Sequence, residues 1–136
     1  MAERGRRFVM NVIMHQSEDL ELTGFEEPGL HIEQQDPEAH YSAMQMFATA
    51  MGLCTYSVLA GYAEQSDTPT EQLSVRMRWG YAEHPYRIGR IDMDIQWPEL
   101  PPSKLESAQR AATKCTIHNT LEQPPEVATR VSNEGG

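Results

Sequence analysis

Two cysteines are the residues of this sequence whose chemistry needs an explanation first. Cys54 and Cys115 are its only cysteines, and they lie far apart in the chain. Two cysteines are too few for a disulfide scaffold. They are therefore either buried thiols that act as small apolar side chains or a reactive pair that meets after folding. A reactive cysteine must be a thiolate, which needs a nearby cation or a helix N-terminus.

His118 follows Cys115 by three residues, a spacing that could supply two metal ligands. No second pair of Cys or His residues accompanies it, and a zinc site needs about four ligands. The sequence therefore predicts neither a bound metal nor a cofactor.

The charge of the chain limits its partners. The 136 residues include 11 basic and 20 acidic side chains, which give a net charge of −9. Without a basic surface, binding to nucleic acid or to an anionic membrane is not expected. The length fits one domain over residues 1–136.

The stretch from Tyr41 to Ala63 has no charged residue and is long enough to cross a membrane. It contains several polar residues, and His40 and Glu64 border it instead of Lys or Arg, so we expect a buried helix. The N-terminal segment lacks the features of a signal peptide, which predicts a cytoplasmic protein.

The hydropathy pattern predicts an α+β fold. Apolar residues alternate in the N-terminal part and again on both sides of the turn at Ala82–Pro85, which indicates two antiparallel hairpins. Between them, apolar residues recur at helical spacing on most of the circumference, and Gly52 predicts either a kink near Cys54 or close packing. Ser103 and Glu106 have the spacing of a capping box. The predicted elements are N-terminal strands within 7–34, a central helix over about 41–65, a hairpin over 73–97, a helix over 103–114 and a C-terminal strand over 126–131.

Two segments together resemble the OsmC-like family, also called OsmC/Ohr. AMQMFATAMGLCTYSVLAGYAE is similar to the family's alanine-rich segment that leads into the first cysteine. WPELPPSKLESAQRAATKCTIHNTL resembles its closing helix and second cysteine motif, and the two occur in the family's order. The resemblance covers about residues 39–131.

The resemblance implies an intertwined homodimer, with antiparallel sheets around long central helices. It also implies a thiol peroxidase, in which Cys54 attacks an organic hydroperoxide and becomes a sulfenic acid. Cys115 then forms a disulfide with Cys54, and a dithiol reductant restores both thiols.

The sequence departs from the family's peroxidases at one position. Those enzymes hold an arginine near the first cysteine with a glutamate about ten residues before it, where this chain has Met44. No Lys or Arg lies between Arg7 and Arg76, so a cation for Cys54 must come from outside this interval or from the partner chain. Arg7 is the candidate, although a solvated charge at a strand start is the favoured interpretation of this residue.

Two other functions remain open. One is a non-catalytic relative that binds an apolar small molecule at the dimer interface, where the cysteines only line the pocket. The other is a structural or interaction dimer without a pocket.

Overall fold

A computed structural model of the protein describes residues 9–24, 31–34 and 42–133. The fold is α+β, as the hydropathy pattern predicts. Arg7 lies outside the described residues, so its predicted place near Cys54 stays a prediction. The elements in chain order are β1 (Val9–Gln16), β2 (Asp19–Thr23), β3 (His31–Gln34), α1 (Ala43–Ser66), β4 (Ser74–Ala82), β5 (Arg87–Gln96), a 3-10 turn (Pro102–Lys104), α2 (Leu105–Ala112) and α3 (Thr116–Glu122).

The strands form one sheet in the order β3-β1-β2-β4-β5. β3 runs parallel to β1, and the other neighbours are antiparallel. The expectation of separate hairpins on either side of the central helix is wrong within one chain, because β2 pairs with β4 and joins them. The register explains the pairing: Leu20 lies opposite Met77 and Leu22 opposite Val75, and all four side chains are fully buried on one face.

Helix α1 packs against this apolar face of the sheet. Its buried side chains include Met51, Tyr56 and Leu59, which join the strand residues in one core. Gly52 does not kink the helix, which is continuous from Ala43 to Ser66. A Cβ on Gly52 would lie 2.4 Å from Cδ1 of Leu22, so the glycine lets helix and sheet approach closely.

By length and composition alone, α1 could cross a membrane. It instead packs on β2, β4, α2 and α3. We therefore assign its sheet-facing side to the protein core, whereas the opposite side is exposed in the single chain, so the expectation of a buried helix holds for only part of its circumference.

The predicted helix over 103–114 is divided in the structure. Pro102–Lys104 form a 3-10 turn, α2 ends at Ala112, and α3 begins at Thr116. Ser103 does not cap α2, because the residue before its first turn is Lys104 and no side chain bonds there. The capping box of this chain is at α1, where Ser42 and Gln45 bond to each other's backbone N–H groups.

The predicted C-terminal strand is absent, since residues 124–133 have no regular secondary structure. Val127 and Val131 are 82% and 95% exposed, so the alternating pattern meets no apolar surface within the described chain. Pro124 and Pro125 also lack the backbone donors that pairing uses. A local pattern alone does not make a strand when no sheet edge lies beside it.

Candidate functional site

Cys54 lies near the middle of α1, on the side turned away from the sheet. Its side chain is partly exposed, whereas the neighbouring Thr55 and Tyr56 are buried. A residue inside a helix has its surrounding backbone N–H groups bonded within the helix, so no free N–H groups face this thiol. The structure thus does not provide the helix N-terminus that would favour a thiolate at Cys54.

The side of α1 that carries Cys54 is uncharged. With 3.6 residues per turn, Cys54 shares this side with Met46, Ala50, Ser57 and Gly61, and we call these five residues the outer face. Met46 is 56% exposed, and Ala50, Ser57 and Gly61 are exposed as well. Met46 is the one large apolar side chain exposed on this face, and the other four residues are small and uncharged.

Cys115 is in a different environment. It is fully buried and is the residue immediately before α3. Its Sγ accepts a hydrogen bond from the backbone N–H of His118 at 3.2 Å, as an N-cap side chain does. Both thiols are free, and within the described residues no hydrogen bond joins them.

Uncharged side chains occupy the positions before Cys54 at which the family's glutamate is expected. Met44, at the position of the family's glutamate, is 37% exposed and contributes to an apolar groove. Its neighbour Gln45 has a structural role, because its side chain caps Ser42 and donates to the carbonyl of Ser17 at 2.9 Å. Residues 9–24, 31–34 and 42–133 contain no cluster of three or more His, Cys, Asp or Glu that could hold a metal ion.

The sequence did not predict the groove that runs between α1, β5 and the two short helices. Its first part has a volume of about 430 Å³ and is lined mainly by apolar residues of β5, α2 and the loop between them, including Met93, Trp97 and Leu105. Its second part, of about 520 Å³, lies between the start of α1, β5 and α3. Met51, Ile91 and His118 line both parts, so the two are adjacent. We call the whole the α1–β5 groove.

Cys54 lies beside this groove. It follows Met51 by one helical turn and Phe47 by two, and the rotation from Phe47 to Cys54 is only about 20°. Phe47 and Met51 line the second part of the groove. The thiol therefore lies at the boundary between the α1 residues that line the groove and the outer face.

Ion pairs lie on the solvent-facing side of the sheet, and two of their residues, Arg90 and Asp94, also reach the groove from the edge strand β5. Arg76 donates two hydrogen bonds to Asp19, at 3.0 and 2.8 Å, and thereby lowers the pKa of that carboxyl. Arg90 does the same to the pKa of Asp92. These carboxylates remain ionised at neutral pH and have structural partners, so neither is placed as a general acid or base.

Comparison with known proteins assigns the chain to a family. A family model described as OsmC-like protein matches residues 34–130, a range that contains both cysteines and the whole α1–β5 groove. A search of curated proteins found no match.

Two solved structures have a similar fold. One is an osmotic stress induced and detoxification response protein from Psychrobacter arcticus, with a TM-score of 0.56 at 15% identity over 85% of this chain and 88% of the other. The second is an OsmC-like hydroperoxide resistance protein from Jannaschia, with a TM-score of 0.56 at 19% identity over 90% of each chain. At these identities the likeness concerns the fold.

Proposed function

Because the chain belongs to the OsmC-like family, we propose that it is a thiol-dependent peroxidase that reduces organic hydroperoxides through Cys54 and Cys115. The observation that carries the proposal is the position of Cys54, a partly exposed free thiol at the edge of an apolar groove. One similar fold is that of a protein named for hydroperoxide resistance, which supports the same reaction class.

The first step cleaves the peroxide. Sγ of Cys54, as the thiolate, forms a bond to the outer oxygen of the hydroperoxide, and the O–O bond breaks. The electron pair of that bond leaves with the alkoxide, which takes up a proton and becomes the alcohol. Cys54 is then a sulfenic acid.

The second step uses Cys115. Its thiol attacks the sulfenic sulfur, a disulfide forms, and water leaves. Cys115 is fully buried as the cap of α3, whereas Cys54 faces away from the core, so this step requires α3 to move. An external dithiol then reduces the disulfide and is itself oxidised.

We further propose that the protein works as a cytoplasmic homodimer. The outer face of α1 offers a second copy an uncharged helical surface, because α1 carries no charged residue before Glu64. Pairing of two such faces would bury the apolar side chains that one chain leaves exposed. It would also bring a partner's residues beside Cys54, which supports a cation supplied by Arg7 or by another residue of either copy.

The second candidate is a non-catalytic protein that binds an apolar molecule. It is favoured by the mid-helix position of Cys54 and by Met44, which replaces the family's glutamate with an apolar side chain in the groove. In this case the thiols are inert and only the groove has a function.

The deciding experiment is turnover of cumene hydroperoxide and of hydrogen peroxide with a dithiol reductant. The proposal expects fast loss of the organic peroxide, with no activity in Cys54→Ser. In the absence of the dithiol, Cys115→Ser should reduce one equivalent of peroxide and stop at the Cys54 sulfenic acid, because it has no partner thiol within the protein. Absence of turnover in the parent protein, together with slow alkylation of Cys54 at neutral pH, would leave the binding protein as the function.

A further inference from the structure

The α1–β5 groove has a polar group at its centre. His118 lines both parts, and the residues that flank it on either side are mainly apolar: Met93 and Trp97 in the first part, Phe47 and Leu121 in the second. The side chain of His118 is 28% exposed, so it is partly withdrawn from water. A ligand that extends from one part into the other would pass His118.

The charged residues of the groove already have partners. Arg90 is held by Asp92, Asp94 by Arg78, and His118 by Glu122. Bringing a charged group into a mainly apolar site without an opposite charge is costly. The lining is thus suited to an uncharged ligand.

The pair with Glu122 also sets the hydrogen-bonding role of the imidazole. Nε2 of His118 lies 3.3 Å from Oε2 of Glu122. The tautomer that carries its proton on Nε2 donates a hydrogen bond to this carboxylate. In the neutral ring, Nδ1 then has a lone pair that accepts a hydrogen bond from an O–H group.

We propose that His118 is the positioning residue of this groove and selects uncharged alkyl ligands with an O–H group on an internal carbon. This inference rests on the proposed peroxidase for its chemistry, where such a ligand is a secondary alkyl hydroperoxide. His118 accepts the hydrogen bond of the terminal O–H, while the two hydrocarbon arms fill the two parts of the groove. The combined volume of both parts is within the range of small-molecule sites, about 300–1,000 Å³.

The inference is tested by binding, with three probes of equal chain length: nonane, the nonanol with a terminal hydroxyl, and the nonanol with its hydroxyl on the central carbon. Trp97 lines the groove, so its fluorescence reports occupancy. His118→Phe removes the acceptor and keeps a ring, and His118→Gln restores an acceptor. The matched control is His15→Phe, since His15 also pairs with a glutamate, Glu21 at 3.0 Å, but does not line the groove.

We expect the central nonanol to bind His118→Phe about three- to tenfold more weakly than the parent protein, the effect of one hydrogen bond. His118→Gln should recover most of the loss, and His15→Phe should change nothing. Nonane and the terminal nonanol should bind the parent and His118→Phe equally. An equal loss for all three probes, or no loss for the central nonanol, would overturn the inference.

Cys54→Ser separates this inference from the peroxidase. The titrations need no thiol chemistry, so the selectivity for the central nonanol should persist in this variant. Selective binding in a protein without peroxide turnover would uphold the role of His118 and reject the peroxidase. Peroxide turnover by the parent protein without selective binding of the central nonanol would uphold the peroxidase and reject the role of His118.

Discussion

Asp19 at the start of β2 and Arg76 in β4 are joined by two hydrogen bonds, at 3.0 and 2.8 Å, across the one strand pair that unites the two hairpins. The residues are diagonal neighbours, since Asp19 lies opposite Arg78 and Arg76 opposite Glu21. The guanidinium therefore faces two carboxylates of β2 on the solvent side of the sheet. Behind it, Leu20 and Met77 form the apolar contact on the core side.

Asp19→Asn should lower the stability of the protein in a pH-dependent way. Arg76 lowers the pKa of Asp19, so the ion pair stabilises the fold above the ordinary pKa of the unfolded carboxyl, about 4. This stabilisation disappears as the pH falls through the lower pKa of the folded state. Urea titrations should give a lower midpoint for the variant at pH 7, and the two midpoints should converge as the pH falls through the lowered pKa of Asp19.

The control for this prediction is Asp92→Asn. Its partner Arg90 is 77% exposed, so solvent screens this pair more than the pair of Asp19 and Arg76. The urea midpoint should therefore change less in Asp92→Asn than in Asp19→Asn. A pH-independent effect of Asp19→Asn would mean that the hydrogen bonds, and not the charge, unite the strands.

Gly52→Ala should destabilise the protein although alanine is the better helix former. The added Cβ would lie 2.4 Å from Cδ1 of Leu22, which is fully buried and cannot move without disturbing the core. Overpacking of this kind costs about 1–3 kcal/mol, more than the helix propensity returns. The free energy of unfolding from urea titration is the measurement.

Gly61→Ala in the same helix is the matched control, because nothing lies within 4 Å of its added Cβ. In the monomeric chain it should raise the free energy of unfolding by about 0.5–1 kcal/mol. If Gly52→Ala were also stabilising, the close approach of α1 to β2 would be incorrect.

Cys115→Ala should cost about 1–3 kcal/mol, because it removes both a helix cap and a fully buried side chain. Cys115→Ser should be much less harmful, since a hydroxyl oxygen can accept the same hydrogen bond from the backbone N–H of His118. Thermal unfolding in the presence of a reductant compares the two. Equal losses would show that packing, not capping, is the structural role of the sulfur.

Ala50→Glu should convert the proposed dimer into a monomer. The variant places a charge at the centre of the outer face, where it would be buried between two copies without a partner. Light scattering coupled to size exclusion gives the molar mass. Gln72→Glu adds the same charge in an exposed loop and should remain dimeric; a monomeric parent protein would contradict the proposed assembly.

The sequence predicted the elements with strong local patterns. The helix predicted over about 41–65 agrees with α1 within two residues at either end, and the alternation on both sides of the turn predicted β4 and β5. The pairing of β2 with β4 was not predictable, because both strands alternate and nothing local says which edges meet. The strand predicted over 126–131 was wrong for a related reason. A half-buried strand needs alternating apolar residues, but it also needs a second strand to pair with, and the alternation does not provide one.

The candidate site was predicted only in part. The two cysteines were identified from their type and from the motifs around them, and both are free thiols. The groove was missed because its lining comes from α1, β5, α2 and α3, whose adjacency depends on the whole fold. The sequence analysis singled out His118 only for its short spacing from Cys115, which was considered as a pair of metal ligands and rejected, and this spacing gave no indication of a groove.

The hydrogen bond from the His118 backbone N–H to the Cys115 sulfur makes the stability of α3 depend on the oxidation state of Cys115. A sulfur drawn into a disulfide with Cys54 no longer meets the His118 amide, and a helix of seven residues has little intrinsic stability to hold itself together. In the reaction proposed here, oxidation would therefore loosen the same segment that carries His118 and Leu121, and with it one wall of the groove. The disulfide form of the protein would then release the alcohol product more readily than the reduced form. Hydrogen exchange of the α3 amides would be faster in the disulfide form.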